Sequence, residues 1–168
     1  ANKAMRGEED SIRRCLRCFK CFPGSPEEGY TDLPFTSVEL SKVVGACTIN
    51  PLANLPFDHY ELEAPKALKK VLVIGGGPAG MEAAIRAADR GHKVVLAEKE
   101  NFLGGMLFFT DVDTDKPDLR NFKDLLIREV NKRNIEVMLG TEVDEAVIKS
   151  VAPEHIIIAT GAVPSCPP

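Results

Sequence analysis

The chain has 168 residues, 44% hydrophobic, 27% charged and 6% aromatic, which is the length of one domain, or of one domain with an appendage, and the composition of an ordinary folded protein. Its net charge of −4 offers no positive field for a polyanion and argues against nucleic acid or an anionic membrane as partner. No apolar run approaches the roughly 20 residues needed to span a bilayer, which argues against insertion in a membrane.

The first residues, Ala1-Asn2-Lys3-Ala4, carry no initiator Met and no secretory pattern, and the last, Pro167-Pro168, come soon after a run that reads as a core strand. We therefore expect a segment cut from a longer protein. Cysteines stand at 15, 18, 21, 47 and 166. An odd, clustered set without a signal peptide favours metal ligation in a reducing, cytoplasmic compartment over a disulfide framework.

Cys15-x-x-Cys18-x-x-Cys21, with Cys47 later, places three thiols at a two-residue spacing where one loop can bring them to a soft-metal centre. Arg13, Arg14, Arg17 and Lys20 flank the run, and positive charge there favours thiolates, although a solvated basic loop face reads equally well. Structural zinc is the alternative, but a zinc ribbon draws two ligands from each of two knuckles, whereas here three crowd the first. Cys166 receives no role.

Prolines at 23, 26, 34, 51, 56 and 65 break up the stretch that follows. One short helix is expected, capped by Thr36-Ser37-Val38-Glu39 ahead of Leu40, Val43 and Val44. The hydrophobic pattern changes near residue 68. We expect a loop-rich cysteine segment over residues 1–68 and an α/β domain with a parallel sheet over 69–168.

Val71-Leu72-Val73-Ile74 is a continuous apolar run, as a strand buried on both faces requires. A helix is expected over 80–90, with Met81, Ala84, Ile85 and Ala88 on one face and Gly91 as its C-terminal cap. A second strand follows at 93–97. Leu119, Phe122, Leu126 and Val130 recur at helical spacing in an otherwise charged segment. A strand near 135–139, a short helix or turn around 144–150 and a strand at 155–159 complete the pattern. Phe102, Phe108 and Phe109 read as core packing, and His59, His92 and His155 as isolated surface or boundary histidines.

Gly75-x-Gly77-x-x-Gly80 lies between a buried strand and a helix, the context that gives this spacing meaning. Gly75 makes the tight turn, Gly77 lets a pyrophosphate approach the backbone, and Gly80 lets helix and strand pack closely. The helix N-terminus offers unpaired N–H groups to the phosphates. Glu98 stands at the end of the second strand, where a carboxylate accepts from a ribose 2′-hydroxyl and repels a 2′-phosphate; Lys99 beside it moderates that repulsion. An adenine dinucleotide or ADP fits these residues, and they do not distinguish FAD from NAD.

Taken in order, Asn2-Lys3 with Gly7-Glu8, Ile12-Arg13-x-Cys15-x-x-Cys18, Cys47-Thr48-Ile49-Asn50-Pro51 and Lys69 to Gly80 resemble the carboxy-terminal half of the multidomain NADH:flavin oxidoreductases. That family includes 2,4-dienoyl-CoA reductase, enoate reductase and trimethylamine dehydrogenase. Leu103-Gly104-Gly105 and Ala159-Thr160-Gly161 are similar to the FAD-type fold of disulfide-reductase-like enzymes.

The resemblance implies an incomplete Rossmann-like FAD/NAD(P)-binding domain behind a cluster-binding segment. It implies a [4Fe-4S] cluster on Cys15, Cys18, Cys21 and Cys47, and FAD or ADP facing Gly75, Gly77, Pro78, Ala79 and Gly80, with Glu98 and Lys99 at the adenosine ribose. Gly104, Gly105 and Met106 would run toward the flavin, with Thr160 and Gly161 nearby. It further implies an FMN-bearing barrel that takes a small-molecule substrate and an NAD(P)H domain in the same parent chain, leaves a homo-oligomeric parent open, and assigns no substrate chemistry to this segment alone. Glutamate-synthase-type iron-sulfur flavoproteins, which generally carry more cluster cysteines, and a zinc-stabilised nucleotide-binding module are the competing readings.

Overall fold

A computed structural model describes residues 2–18, 20–21, 47–50 and 65–162. The helix expected over 36–44, together with His59 and Cys166, lies outside those residues. The chain divides into two compact units, residues 13–62 and residues 1–12 with 63–168. The first dozen residues, grouped by the sequence with the cysteines, thus belong to the larger unit. There they form α1 (Asn2–Met5) and a 3-10 turn (Glu9–Ser11).

Among the described residues, four strands build the larger unit: β1 (Lys70–Ile74), β2 (Lys93–Ala97), β3 (Ile135–Met138) and β4 (His155–Ile158). All pair in parallel, in the order β3-β2-β1-β4. Helices α2 (Pro78–Asp89), α3 (Pro117–Asn131) and α4 (Glu145–Val151) connect them. This is a Rossmann-like α/β fold.

Side chains alternate across the sheet, as the period of two dictates. Val71, Val73, Val94 and Leu96 face Met81, Ala84 and Ile85 of α2 and Leu126 and Val130 of α3. Leu72, Val95 and Ala97 face the other way, toward Val151 and the half-buried Val147 and Ile148 of α4. Each large aliphatic side chain so buried contributes about 1.5–3 kcal/mol of transfer free energy.

Local chemistry ends the helices where expected. Gly91, at φ +86°, donates its N–H to the Ala88 carbonyl at 2.8 Å, and His92 donates to Ala87 at 3.1 Å, closing α2. Asp144 caps α4, its Oδ1 accepting from the Val147 N–H at 2.8 Å. Arg133 bridges α2 and α3 by pairing with Asp89 and Glu129 at 2.6 and 2.8 Å.

Three features depart from the sequence expectations. Among the described residues, the run at 155–158 is an edge strand, not a core strand: it pairs only with β1, and Ile156, Ile157 and Ile158 join neither buried cluster. A seven-residue 3-10 segment, Gly105–Asp111, which no periodicity announced, follows β2. On and beside it, Phe102 is half-buried and Phe108 and Phe109 are exposed; Phe102 and Phe108 stack on each other with centroids 4.0 Å apart instead of entering the core. The reason is position, since the segment lies outside the sheet-helix layers. Among the described residues, no helix is long and apolar enough to cross a membrane.

Candidate functional site

The chain leaves β1 for β2 and β3 on one side and returns to β4 on the other, so the strand order reverses at the carboxyl end of β1. In open α/β sheets that reversal opens a crevice for ligands. The glycine turn stands there. Gly75 adopts φ +107°, and a Cβ on it would strike the Ala159 backbone just past β4. A Cβ at Gly80 would collide with the Gly75 carbonyl, so helix and strand approach closely only because residue 80 has no side chain.

Gly77 differs in kind. It caps the amino end of α2 with φ −72°, no side chain caps that end, and a Cβ there would meet nothing closer than the Gly105 Cα at 3.9 Å. The turn therefore presents backbone, not side chains, beside a helix dipole. Pro78 occupies the first helical position, and Ala79 beside it is exposed.

Glu98 is 7% exposed at the end of β2. Its Oε2 accepts from the Gly76 N–H at 2.6 Å and its Oε1 from the Glu100 N–H at 2.9 Å. The carboxylate thus fastens the glycine turn to the second strand, a tie that motif spacing does not reveal. Each oxygen keeps acceptor capacity for a further donor such as a ribose hydroxyl. Lys99 beside it is exposed.

A second glycine turn seats on the first. Gly104 donates its N–H to the Gly76 carbonyl at 2.9 Å, and a Cβ at Gly105 would come within 2.9 Å of the Gly77 Cα. Two side-chain-free turns in contact form a cradle that Cβ atoms would fill, which suits a dinucleotide pyrophosphate. Met106, next in line, is exposed, as are Thr160 and Gly161 beyond β4.

Beneath the second turn lies a pair that motif reading passed over. Lys123 of α3 is 3% exposed and ion-paired to Asp111, with Asp124 at 3.6 Å. The signal was present in the sequence, because residue 123 falls four after Leu119 and three before Leu126, on the apolar face of the helix.

In the smaller unit all four cysteines of the run are free thiols; Cys15, Cys18 and Cys21 are exposed and Cys47 is half-buried. Arg17, at φ 56°, donates its N–H to Cys15 Sγ at 3.2 Å. Cys18 Sγ lies 3.3 Å from Thr48 Oγ1, and Arg13 donates to the Ile49 carbonyl at 2.5 Å, so the strip carrying Cys47 runs beside the first cysteine loop. The Thr48 hydroxyl, aided by the Lys20 backbone, holds the Cys18 thiol below its ordinary pKa. The donor type suits a soft metal, yet among the described residues no three metal-binding side chains converge.

A family model described as FAD dependent oxidoreductase matches residues 70–155. The NADH oxidase of Thermoanaerobacter brockii is 37% identical over 98% of the chain, which covers 24% of that protein. The cinnamate reductase of Clostridium sporogenes is 32% identical over 97% of the chain and 22% of the relative. Among solved structures, a 2-naphthoyl-CoA reductase in complex with 2-naphthoyl-CoA superposes with a TM-score of 0.80 at 31% identity, over 99% of the chain and 23% of that protein. The chain thus spans about a quarter of the length of the relatives it matches.

Proposed function

This chain belongs to the FAD-dependent oxidoreductase family, of the NADH:flavin oxidoreductase type, and from that premise we propose that residues 69–168 hold the adenine dinucleotide half of FAD in an NAD(P)H-dependent enzyme. One observation carries the reading: Gly77, Gly105 and Glu98 meet at the carboxyl end of β1, where the sheet order reverses. Glu98 binds ribose hydroxyls, the stacked glycine turns admit the pyrophosphate, and the amino end of α2 offsets its charge. Buried apolar strands behind the turns keep the cradle fixed. Gly104 to Met106 and Thr160-Gly161 line the way toward the flavin, and ADP alone would occupy the same adenine half.

In the smaller unit, Cys15, Cys18, Cys21 and Cys47 supply thiolates for a [4Fe-4S] cluster. The two-residue spacing supports this, as does the Cys18–Thr48 contact, which draws the Cys47 strip alongside. When bound, FAD supplies two-electron acceptance from a nicotinamide, and a cluster supplies single-electron passage to a second flavin. The protein's part is to hold these groups and set their surroundings. In a longer polypeptide the electrons would serve an FMN-bearing barrel that reduces or oxidises a small organic molecule, of the kind named by the enoate- and acyl-CoA-reducing relatives.

Two measurements test this. Calorimetric titration of the full chain with FAD and with ADP should give saturable one-to-one binding, weaker for a 2′-phosphorylated analogue; binding of neither overturns the nucleotide reading. Anaerobic reconstitution with iron and sulfide should give a brown protein that dithionite bleaches. A colourless protein holding one zinc would overturn the cluster.

A further inference from the structure

We infer that the buried Lys123 and the partly exposed Asp111 form a clamp that positions the second glycine turn against the first, making Lys123 a positioning residue for the nucleotide cradle. The inference deepens the nucleotide reading above and rests on it. A lysine almost wholly buried is costly unless its charge is paired, and a helix has cheaper residues for its apolar face. Lys123 therefore calls for a role beyond packing.

Its geometry supplies one. The stem of Lys123 lies under Gly104, where a Cβ would sit 3.0 Å from Cδ and 3.2 Å from Cγ, so the side chain forms the floor of that turn. Gly104, at φ +127°, holds a conformation that L side chains rarely adopt, and it donates to Gly76. The ammonium group reaches Asp111, the last residue of the 3-10 segment that Gly105 begins. One turn earlier on α3, Arg120 Nε donates to the Thr110 carbonyl at 2.6 Å, and Thr110 is fully buried with its hydroxyl bonded to Leu107.

Helix α3 thus grips both ends of the segment 104–111, by the Lys123 stem at the start and by two cations at the finish. The contact that matters to a ligand, Gly105 over Gly77, lies between those grips. Releasing the ion pair frees the segment to lift from the turn. Asp111 is half outside, so water can reach the released group.

The test compares Lys123→Met, which keeps the stem and removes the charge, and Asp111→Asn with Arg133→Met, which breaks the α2–α3 ion pairs just past the end of the same helix. ADP affinity and hydrogen–deuterium exchange of residues 103–112 are measured on the full chain, at a temperature where circular dichroism shows every variant folded. The clamp variants should bind ADP about tenfold more weakly, roughly 1.4 kcal/mol, and exchange faster across 103–112, while Arg133→Met changes neither. Wild-type affinity and exchange in both clamp variants, or equal losses in Arg133→Met, would overturn the inference. Should Lys123→Met fail to fold, Asp111→Asn decides alone. If the unaltered chain binds neither ADP nor FAD, the nucleotide reading fails, and exchange still reports whether the clamp exists.

Discussion

The Glu98 carboxylate accepts the Gly76 N–H at 2.6 Å, joining the end of β2 to the glycine turn that follows β1. An acidic residue at this place is thus structural before it is a ligand. Glu98→Gln keeps the shape but turns an amide N–H₂ toward one of two backbone donors, leaving it unpaired. We expect a loss of roughly 1–3 kcal/mol in thermal unfolding together with weaker ADP binding. Unchanged melting would show that the tie contributes nothing.

Gly77 and Gly80 belong to one motif but should fail differently. Gly80→Ala drives a methyl group into the Gly75 carbonyl and should lower the melting temperature sharply or prevent folding. Gly77→Ala meets nothing closer than ordinary contact, the Gly105 Cα at 3.9 Å, and sits at an ordinary φ, so it should fold like the parent and lose nucleotide affinity. Melting curves and ADP titrations of the two variants separate the roles; equal melting losses would contradict it.

Burial pushes the Glu129 carboxyl upward, but hydrogen bonds from Arg133 and Lys132 outweigh it and hold it below the ordinary glutamate value. A carboxyl depressed by folding stabilises above its unfolded pKa, and that stability is lost as pH falls through its folded one. Glu129→Gln should therefore melt below the parent at neutral pH, with the gap closing in acid below about pH 4. A gap that persists or widens in acid would show that the pairing is not the source.

Asp144→Ala removes the cap on the Val147 N–H and should cost about 1 kcal/mol. Because α4 covers Leu72, Val95 and Ala97, amide exchange should rise across residues 145–151 in particular. A uniform rise over the whole sheet would instead indicate global loosening.

Much of the sheet could be read in advance, because Val71 to Val73 and Val94 to Ala97 are buried on both faces and show it as unbroken apolar runs. The glycine spacing and Glu98 were equally readable, since both sit at positions that geometry assigns from the strands. The 3-10 segment was hidden: Met106, Leu107, Phe108 and Phe109 are apolar without period, and such a run resembles core while lying at the surface. Lys123 was hidden differently, as a charge in a charged segment, and only its helical phase betrays it. The three isoleucines of β4 misled in the opposite sense, since apolar content forecasts burial only where something covers the strand.

That edge has a practical consequence. Ile158 is 75% exposed, and Ile156 and Ile157 are open as well, along a margin whose outward amides have no neighbouring strand among the described residues. Bare, sticky ribbon ends invite copies to zip together. Expressed by itself, the 168-residue chain should grow turbid with rising concentration, and a lysine introduced at position 157 should keep it clear.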